Sequence, residues 1–166
     1  MDRRFEDDQP GHRHPGVPAN HPSVYTRRQP RVLVEAADGG EAFSRLRLLE
    51  TAGYQASWCP GPERRPQRRC PLLGGTDCPL MDKADVVVCA LGLDHESTRE
   101  VLQAMHRVYP GKAVVLETTA SSADEWAPLV AGHRVVRAPA TPAALTAAVA
   151  EALAGLNAIQ HPSALD

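Results

Sequence analysis

Three cysteines lie close together in the sequence, and each is followed by proline. They are Cys59, Cys70 and Cys78, with the spacing C-x10-C-x7-C, and a fourth cysteine, Cys89, lies in an apolar run further along. Thiolates bind soft metals, and Cys-Pro pairs recur beside the ligands of iron–sulfur clusters. One interpretation is therefore a zinc or iron–sulfur site built on the three thiolates, with Cys89 or His95 as a fourth ligand.

Three other interpretations of this segment remain open. The spacing lacks the C-x2-C pair of common zinc modules, and free thiols in a loop, with Cys89 filling core, are the simplest explanation. A reversible disulfide would join Cys70 and Cys78, the closest pair in sequence, and nearby arginines would favour thiol reactivity by lowering the pKa. The same arginines could bind phosphate or nucleic acid, although a solvated basic loop is more common. They are Arg64, Arg65, Arg68 and Arg69.

Length and composition predict one domain of ordinary size with tails. The chain has 166 residues, 43% apolar content and a formal net charge of -2. This weak charge argues against nucleic acid or an acidic membrane as a partner. No apolar run has membrane-spanning length, and the N-terminus lacks the apolar stretch of a secretory signal, so we expect a cytoplasmic protein.

Residues 1–30 are predicted to be a disordered tail. They contain many Pro, His, Arg and Asp residues and too few apolar side chains to offset the entropy of ordering. His12, His14 and His21 lie there, but no cysteine or acid completes a metal site with them. A second short tail is expected at 157–166.

Between the tails, strand-like and helix-like segments alternate. Apart from Asp85, the run 84–90 is apolar and rich in valine, as in the central strand of a parallel sheet covered on both faces. Strand–helix alternation predicts a doubly wound five-stranded parallel sheet over 31–156. The segment 59–83 has neither period and is expected to be an inserted Cys/Pro/Arg-rich loop in place of the second helix. The other expected strands are 31–37, 54–58, 113–116 and 133–137, and the expected helices are 41–52, 94–109, one from about 124, and 141–156.

From Val32 to Leu153 the sequence resembles the receiver domain of bacterial response regulators. Four segments carry the resemblance: a helix end LLETAGY at 48–54, a central strand ADVVVCAL at 84–91, a fourth strand AVVLETT at 113–119 and a loop APATPAAL at 138–145. The resemblance implies the strand order 2-1-3-4-5. In such sheets ligands gather at the carboxyl ends of the strands.

The resemblance also shows which chemistry is missing. The family uses an aspartate to accept a phosphoryl group, an acidic pair to hold Mg²⁺, a lysine and a hydroxyl. Ala90 stands at the acceptor position, Ala138 at the lysine position and Ala36 and Ala37 at the acidic pair, so Thr118 alone matches the family. A shift of one residue would put Glu35 at the first acidic position.

We therefore expect a non-phosphorylatable pseudo-receiver that signals through protein contacts and is not an enzyme. By the resemblance, its docking surface would include Trp126, Leu129 and Val130. The partner is expected to be a signalling or output protein, or a second copy of the chain, with no membrane involved and no cofactor. The alternative is a redox- or metal-responsive sensor that uses the cysteines on a receiver scaffold.

Overall fold

The computed structural model describes residues 28–62 and 70–160, and the backbone alone for 157–160. The expectations for residues 1–27, including the three tail histidines, and for the four loop arginines lie outside the described residues. The five strands in the described residues are β1 (Arg31–Glu35), β2 (Gln55–Cys59), β3 (Val86–Cys89), β4 (Ala113–Thr118) and β5 (Arg134–Arg137). The same part of the chain has six α-helices, α1 (Gly39–Thr51), α2 (Pro79–Lys83), α3 (Glu96–Val108), α4 (Ala120–Glu125), α5 (Ala127–Val130) and α6 (Pro142–Gln160).

The strands form one parallel sheet in the order β2-β1-β3-β4-β5, which confirms the predicted fold class. Successive residues of a strand point to opposite faces, so each strand serves two cores. Leu33 and Val87 pack on the face that α3 and the cysteine segment cover, whereas Val34 and Val88 pack on the face of α1 and α6. This double burial explains why β3 has no polar alternation.

The segment 59–83 differs from the loop that was predicted. A 3-10 turn at Leu72–Gly74 and the helix α2 lie within it. Pro79 occupies the first turn of α2, where its missing N–H costs nothing, and the helix buries Met81 completely. One and a half turns are too short for a helical period to be visible in the sequence, which explains the wrong prediction.

Two other helices differ from the sequence prediction. Thr119 caps α4, accepting a hydrogen bond from the Ser122 N–H, so this region becomes helical at Ala120 and not near residue 124. The helix is interrupted at Trp126, and the next helix, α5, follows with Pro128 in its first turn. The last helix, α6, continues through Gln160 and takes in part of the predicted tail.

Candidate functional site at the carboxyl edge of the sheet

The structure brings together three of the five residues that the sequence assigned to a degenerate receiver pocket. Ala90 follows β3, Thr118 ends β4 and Ala138 follows β5, and all three line a cavity of about 300 Å³ at the carboxyl edge of the sheet. Parallel strands end at the same edge, which is why residues so distant in sequence meet there. The loop after β5 is held to β4 by the Ala138 N–H, which donates to the Thr118 carbonyl at 2.9 Å.

Ala36 and Ala37 do not line this cavity. Ala36 is fully buried in the core under α1 and α6, and Ala37 packs against the core on the opposite face. Asp38 is used as the N-cap of α1, its carboxylate accepting from the Glu41 N–H at 2.9 Å. Glu35 points away from the cavity, toward Cys89 and the cysteine segment. No pair of acids at the end of β1 therefore faces the position of Ala90.

The cavity contains an ion pair that the sequence analysis missed. Arg45 of α1 reaches across to Glu117 of β4, with Nε 2.8 Å from Oε2 and Nη2 2.7 Å from Oε1. Glu117 Oε1 also accepts from the Ala140 N–H at 3.0 Å. The Glu117 side chain is 2% exposed and that of Arg45 is 15% exposed, so this is a buried two-point contact.

The charges in this pair stabilise each other. Burial by itself would raise the pKa of Glu117, but hydrogen bonds from Arg45 and the Ala140 N–H outweigh it and lower the pKa overall. The hydrogen bond to Glu117 likewise raises the pKa of Arg45. Both groups stay charged at neutral pH. Sequence reasoning could have noticed a charged residue in the apolar run AVVLETT, but not its partner 72 residues earlier.

The three residues assigned to a docking surface have different environments. Trp126 is half-buried, with the Arg99 guanidinium 4.1 Å from the centre of its ring. Leu129 packs against the core, and Val130 is buried at 9% exposure. Val130 is thus a core residue, contrary to its predicted place in a surface, because the short helix α5 turns it toward α3. Val135 on β5 is the large apolar side chain that lies exposed nearby, at 46%.

Arg99 connects this region to the cavity. Its Nη1 donates to the Leu93 carbonyl at 2.7 Å and to the Asp94 carbonyl at 2.9 Å, in the loop that follows Ala90. The same guanidinium covers Trp126. Leu93 and Asp94 also line the cavity. A single side chain therefore joins the loop after Ala90 to the junction of α4 and α5.

The four cysteines lie near one another on the α3 face of the sheet, and none is in a disulfide. Cys59, Cys70 and Cys78 line one cavity, whereas Cys89 lies deeper, in the core beside Glu35. Burial raises the pKa of the Cys89 thiol above its usual range. Across residues 28–62 and 70–156, no three His, Cys, Asp or Glu side chains are arranged to hold a metal ion. His95 lies at the start of α3, exposed and close to Asp94.

Two residues that the sequence analysis did not single out fix the cysteine segment to the fold. The Tyr109 hydroxyl accepts from the Cys78 N–H and donates to Asp82 Oδ1, both at 2.7 Å. Lys112 Nζ donates to the carbonyls of Met81 at 3.0 Å and Ala84 at 2.8 Å. These contacts satisfy groups at both ends of α2. No local sequence pattern predicts these hydrogen bonds.

Comparison with known proteins supports the fold that these observations describe. No protein-family model matches the sequence, and no curated protein matches it. Among solved structures, a response regulator receiver domain protein from Clostridium thermocellum matches with a TM-score of 0.60 and 17% identity, over 78% of this chain and 98% of that one. The chain has the receiver fold.

Two further structural neighbours come from Burkholderia and are described as a pilus assembly-related protein and a pilus assembly protein. The one from Burkholderia pseudomallei has a TM-score of 0.58 and 25% identity over 79% of this chain and 94% of that one. The CpaE protein of Burkholderia thailandensis has a TM-score of 0.60 and 22% identity over 76% and 99%. Within the described residues, no helix is both long and apolar enough to cross a bilayer.

Proposed function

We propose that this domain is a pseudo-receiver: it takes part in signal transduction through protein contacts and does not accept a phosphoryl group. One observation carries the proposal. At the edge of the sheet where a receiver keeps its reactive acid, the cavity has Ala90 and Ala138, and the buried pair of Arg45 and Glu117 lies between the strands and α1.

The chemistry of phosphoryl transfer supports this proposal. Transfer needs an oxygen nucleophile and cations that neutralise the developing charge. Mg²⁺ needs several oxygen ligands. Three acids line the cavity: Glu41 and Asp94 are exposed, and Glu117 is buried. Arg45 together with the Ala140 N–H already occupies the oxygens of Glu117. Attack by Glu117 would require breaking a buried ion pair, which leaves two uncompensated charges.

The signalling surface is proposed to lie around Trp126 and the exposed Val135, with Leu129 beside them. Arg99 gives this surface a physical connection to the loop after Ala90. We propose that the partner is another protein of a bacterial signalling or assembly system, or a second copy of this chain. Since thiols outside disulfides persist in reducing compartments, we also propose a cytoplasmic location.

Incubation with Mg²⁺ and acetyl phosphate, followed by intact mass spectrometry, tests the proposal. We expect no added phosphoryl group on the wild-type chain, and none on Ala90→Asp, because restoring the acid alone supplies neither metal ligands nor the missing lysine. A receiver domain with all its acids, treated in parallel, controls for reagent quality. A stoichiometric phosphoryl adduct on the wild type would refute the proposal.

A redox- or metal-responsive sensor is the second candidate, because Cys59, Cys70 and Cys78 line the same cavity. Against its metal form, the described residues hold no ready three-ligand group, so binding would have to rearrange the segment. Metal analysis after anaerobic purification, with a count of titratable thiols, separates the candidates. Four titratable thiols and no metal would remove the second one.

A further inference from the structure

Glu35 is a buried carboxyl that the proposed function does not use. It ends β1 and points to the α3 face, where the residue is 3% exposed. One side of its carboxyl is hydrogen-bonded to the Cys89 thiol. Its Oε2 is buried and has no hydrogen-bond partner among the described residues. Buried polar atoms are nearly always paired, so an unpaired carboxyl oxygen needs a reason.

A cavity of about 260 Å³ lies against this carboxyl, beneath the cysteine segment. Apolar side chains and thiols form almost all of its wall. The lining includes Leu33, Leu72 and Val101, the cysteines Cys59, Cys70 and Cys78, and Glu35. A mostly apolar cavity with a single polar group inside is the usual form of a small-molecule site.

We propose that this cavity binds a small, mostly apolar molecule that carries one neutral hydrogen-bond donor, and that Glu35 accepts this hydrogen bond. The size fits such a ligand. An apolar cavity of roughly 150 Å³ can hold benzene, so this larger one has room for a fused pair of small rings. The unpaired Oε2 supplies the acceptor, and the apolar wall supplies the remaining contact area.

The charge of the site favours a neutral donor over a cation. Burial raises the pKa of Glu35 to about 7, although the hydrogen bond from Cys89 opposes that shift. Above that pH the carboxyl is ionised and its Oε2 is an acceptor. A cation would have to lose its hydration on entering an apolar enclosure that offers it only this carboxyl. A phenol, an indole or a similar neutral N–H or O–H donor avoids that desolvation.

The cysteine segment forms the outer wall of the cavity. Cys59, Cys70 and Pro71 are half-buried, whereas Leu33 and Val101, on the inner side, are buried. This site is on the opposite face of the sheet from Arg45 and Glu117, so the proposal stands independently of the pseudo-receiver proposal.

NMR titration of the ¹⁵N-labelled full chain with two probes tests this inference. Indole has the donor, and benzofuran has nearly the same shape but no donor. We expect indole to bind, to shift the amides of Gly61, Leu72 and Cys78, and to bind roughly tenfold more tightly than benzofuran, as one net hydrogen bond predicts.

The variant Glu35→Met removes the acceptor while keeping its volume, and should reduce the preference for indole to about one, since no polar partner remains. Glu50→Met, which replaces an exposed carboxylate of α1, should leave both affinities unchanged. A thermal melt confirms that each variant is folded. If Glu35→Met is unfolded, the affinity ratio in the wild type and the location of its shifts decide the matter.

Three results would overturn the inference. They are no saturable shift at these amides with indole, equal wild-type affinity for the two probes, and an indole preference that survives in folded Glu35→Met.

Discussion

Arg45 and Glu117 are the two buried charged side chains of the cavity at the sheet edge. Their two hydrogen bonds join α1 to β4 across the edge of the sheet, and the Ala140 N–H adds the loop that precedes α6. The two buried charges of the cavity are therefore paired with each other.

Replacing Arg45 by Met should destabilise the domain by about 3 kcal/mol, because it leaves the buried Glu117 carboxylate without its partner. Urea unfolding at neutral pH measures the effect. Arg47→Met is the matched control: it lies on the same helix, is exposed, and should change stability by no more than about 0.5 kcal/mol. The double variant Arg45→Met/Glu117→Met should recover most of the loss. Equal losses from Arg45→Met and the control would contradict this view of the pair.

For single residues, the sequence indicated which ones lie at the edge of the sheet, but not which side chains they contact. The positions of Ala90, Thr118 and Ala138 came from the resemblance to receiver domains, and all three line the cavity at the sheet edge. The partner of Glu117 lies 72 residues away and faces it only because α1 packs on that side of the sheet. Likewise, the sequence shows Glu35 as an acid in the first predicted strand, but its burial beside Cys89 depends on the tertiary fold.

The short helix α2 depends on contacts made by other elements. It has five residues, too few to be stable in isolation. Tyr109 and Lys112, at the end of α3 and before β4, supply hydrogen bonds to its ends. Burial, together with the hydrogen bond to Asp82, raises the pKa of Tyr109 to about 12, so its hydroxyl keeps its proton at neutral pH.

Tyr109→Phe should therefore loosen α2 and the adjoining cysteine segment. The loss of the acceptor for the Cys78 N–H should cost about 1 kcal/mol. Hydrogen exchange of the amides of α2 should quicken while those of β1 and β3 stay protected. Tyr54→Phe serves as the control, because the Tyr54 hydroxyl makes no hydrogen bond with any described residue. An unchanged exchange rate in α2 would show that the tyrosine does not anchor it.

Helices and strands were predictable where they were long or continuously apolar. The apolar runs at β1, β3 and β4 located three strands, and the spacing of Val101, Leu102 and Met105 located α3, which buries all three. The failures were short or interrupted elements: α2, and the pair α4 and α5. In these, capping by Thr119 and contacts from distant residues outweigh any period that the sequence could show.

In the molecule as a whole, two groups respond to pH in opposite directions. Glu35 has a raised pKa of about 7, so its contribution to stability is full below pH 4.5 and is lost as pH rises toward 7. His133 on the other side of α3 has a pKa lowered to about 4, first by burial and then by the charge of His106. Its contribution is full above pH 6.5 and is lost as pH falls toward 4.

The two effects oppose each other between about pH 4.5 and pH 6.5, and single variants should reveal them. Between pH 5 and 6.5, Glu35→Met should become more stable as pH rises, because the effect of His133 remains. His133→Gln should become less stable over the same interval, because the effect of Glu35 remains. Urea midpoints of the wild type should vary less than those of either variant. Slopes of the same sign in both variants would contradict the pKa assignments.

The unpaired acid at the end of β1 also bears on how this chain would respond to selection. A buried carboxyl oxygen without a partner lowers stability, and an apolar residue of similar volume there should raise it. Laboratory evolution for heat resistance alone should therefore replace Glu35 early, since nothing else in such an experiment rewards its retention. If the same selection were run with a candidate ligand in the growth medium, lineages that keep Glu35 would indicate that this compound binds to its carboxyl.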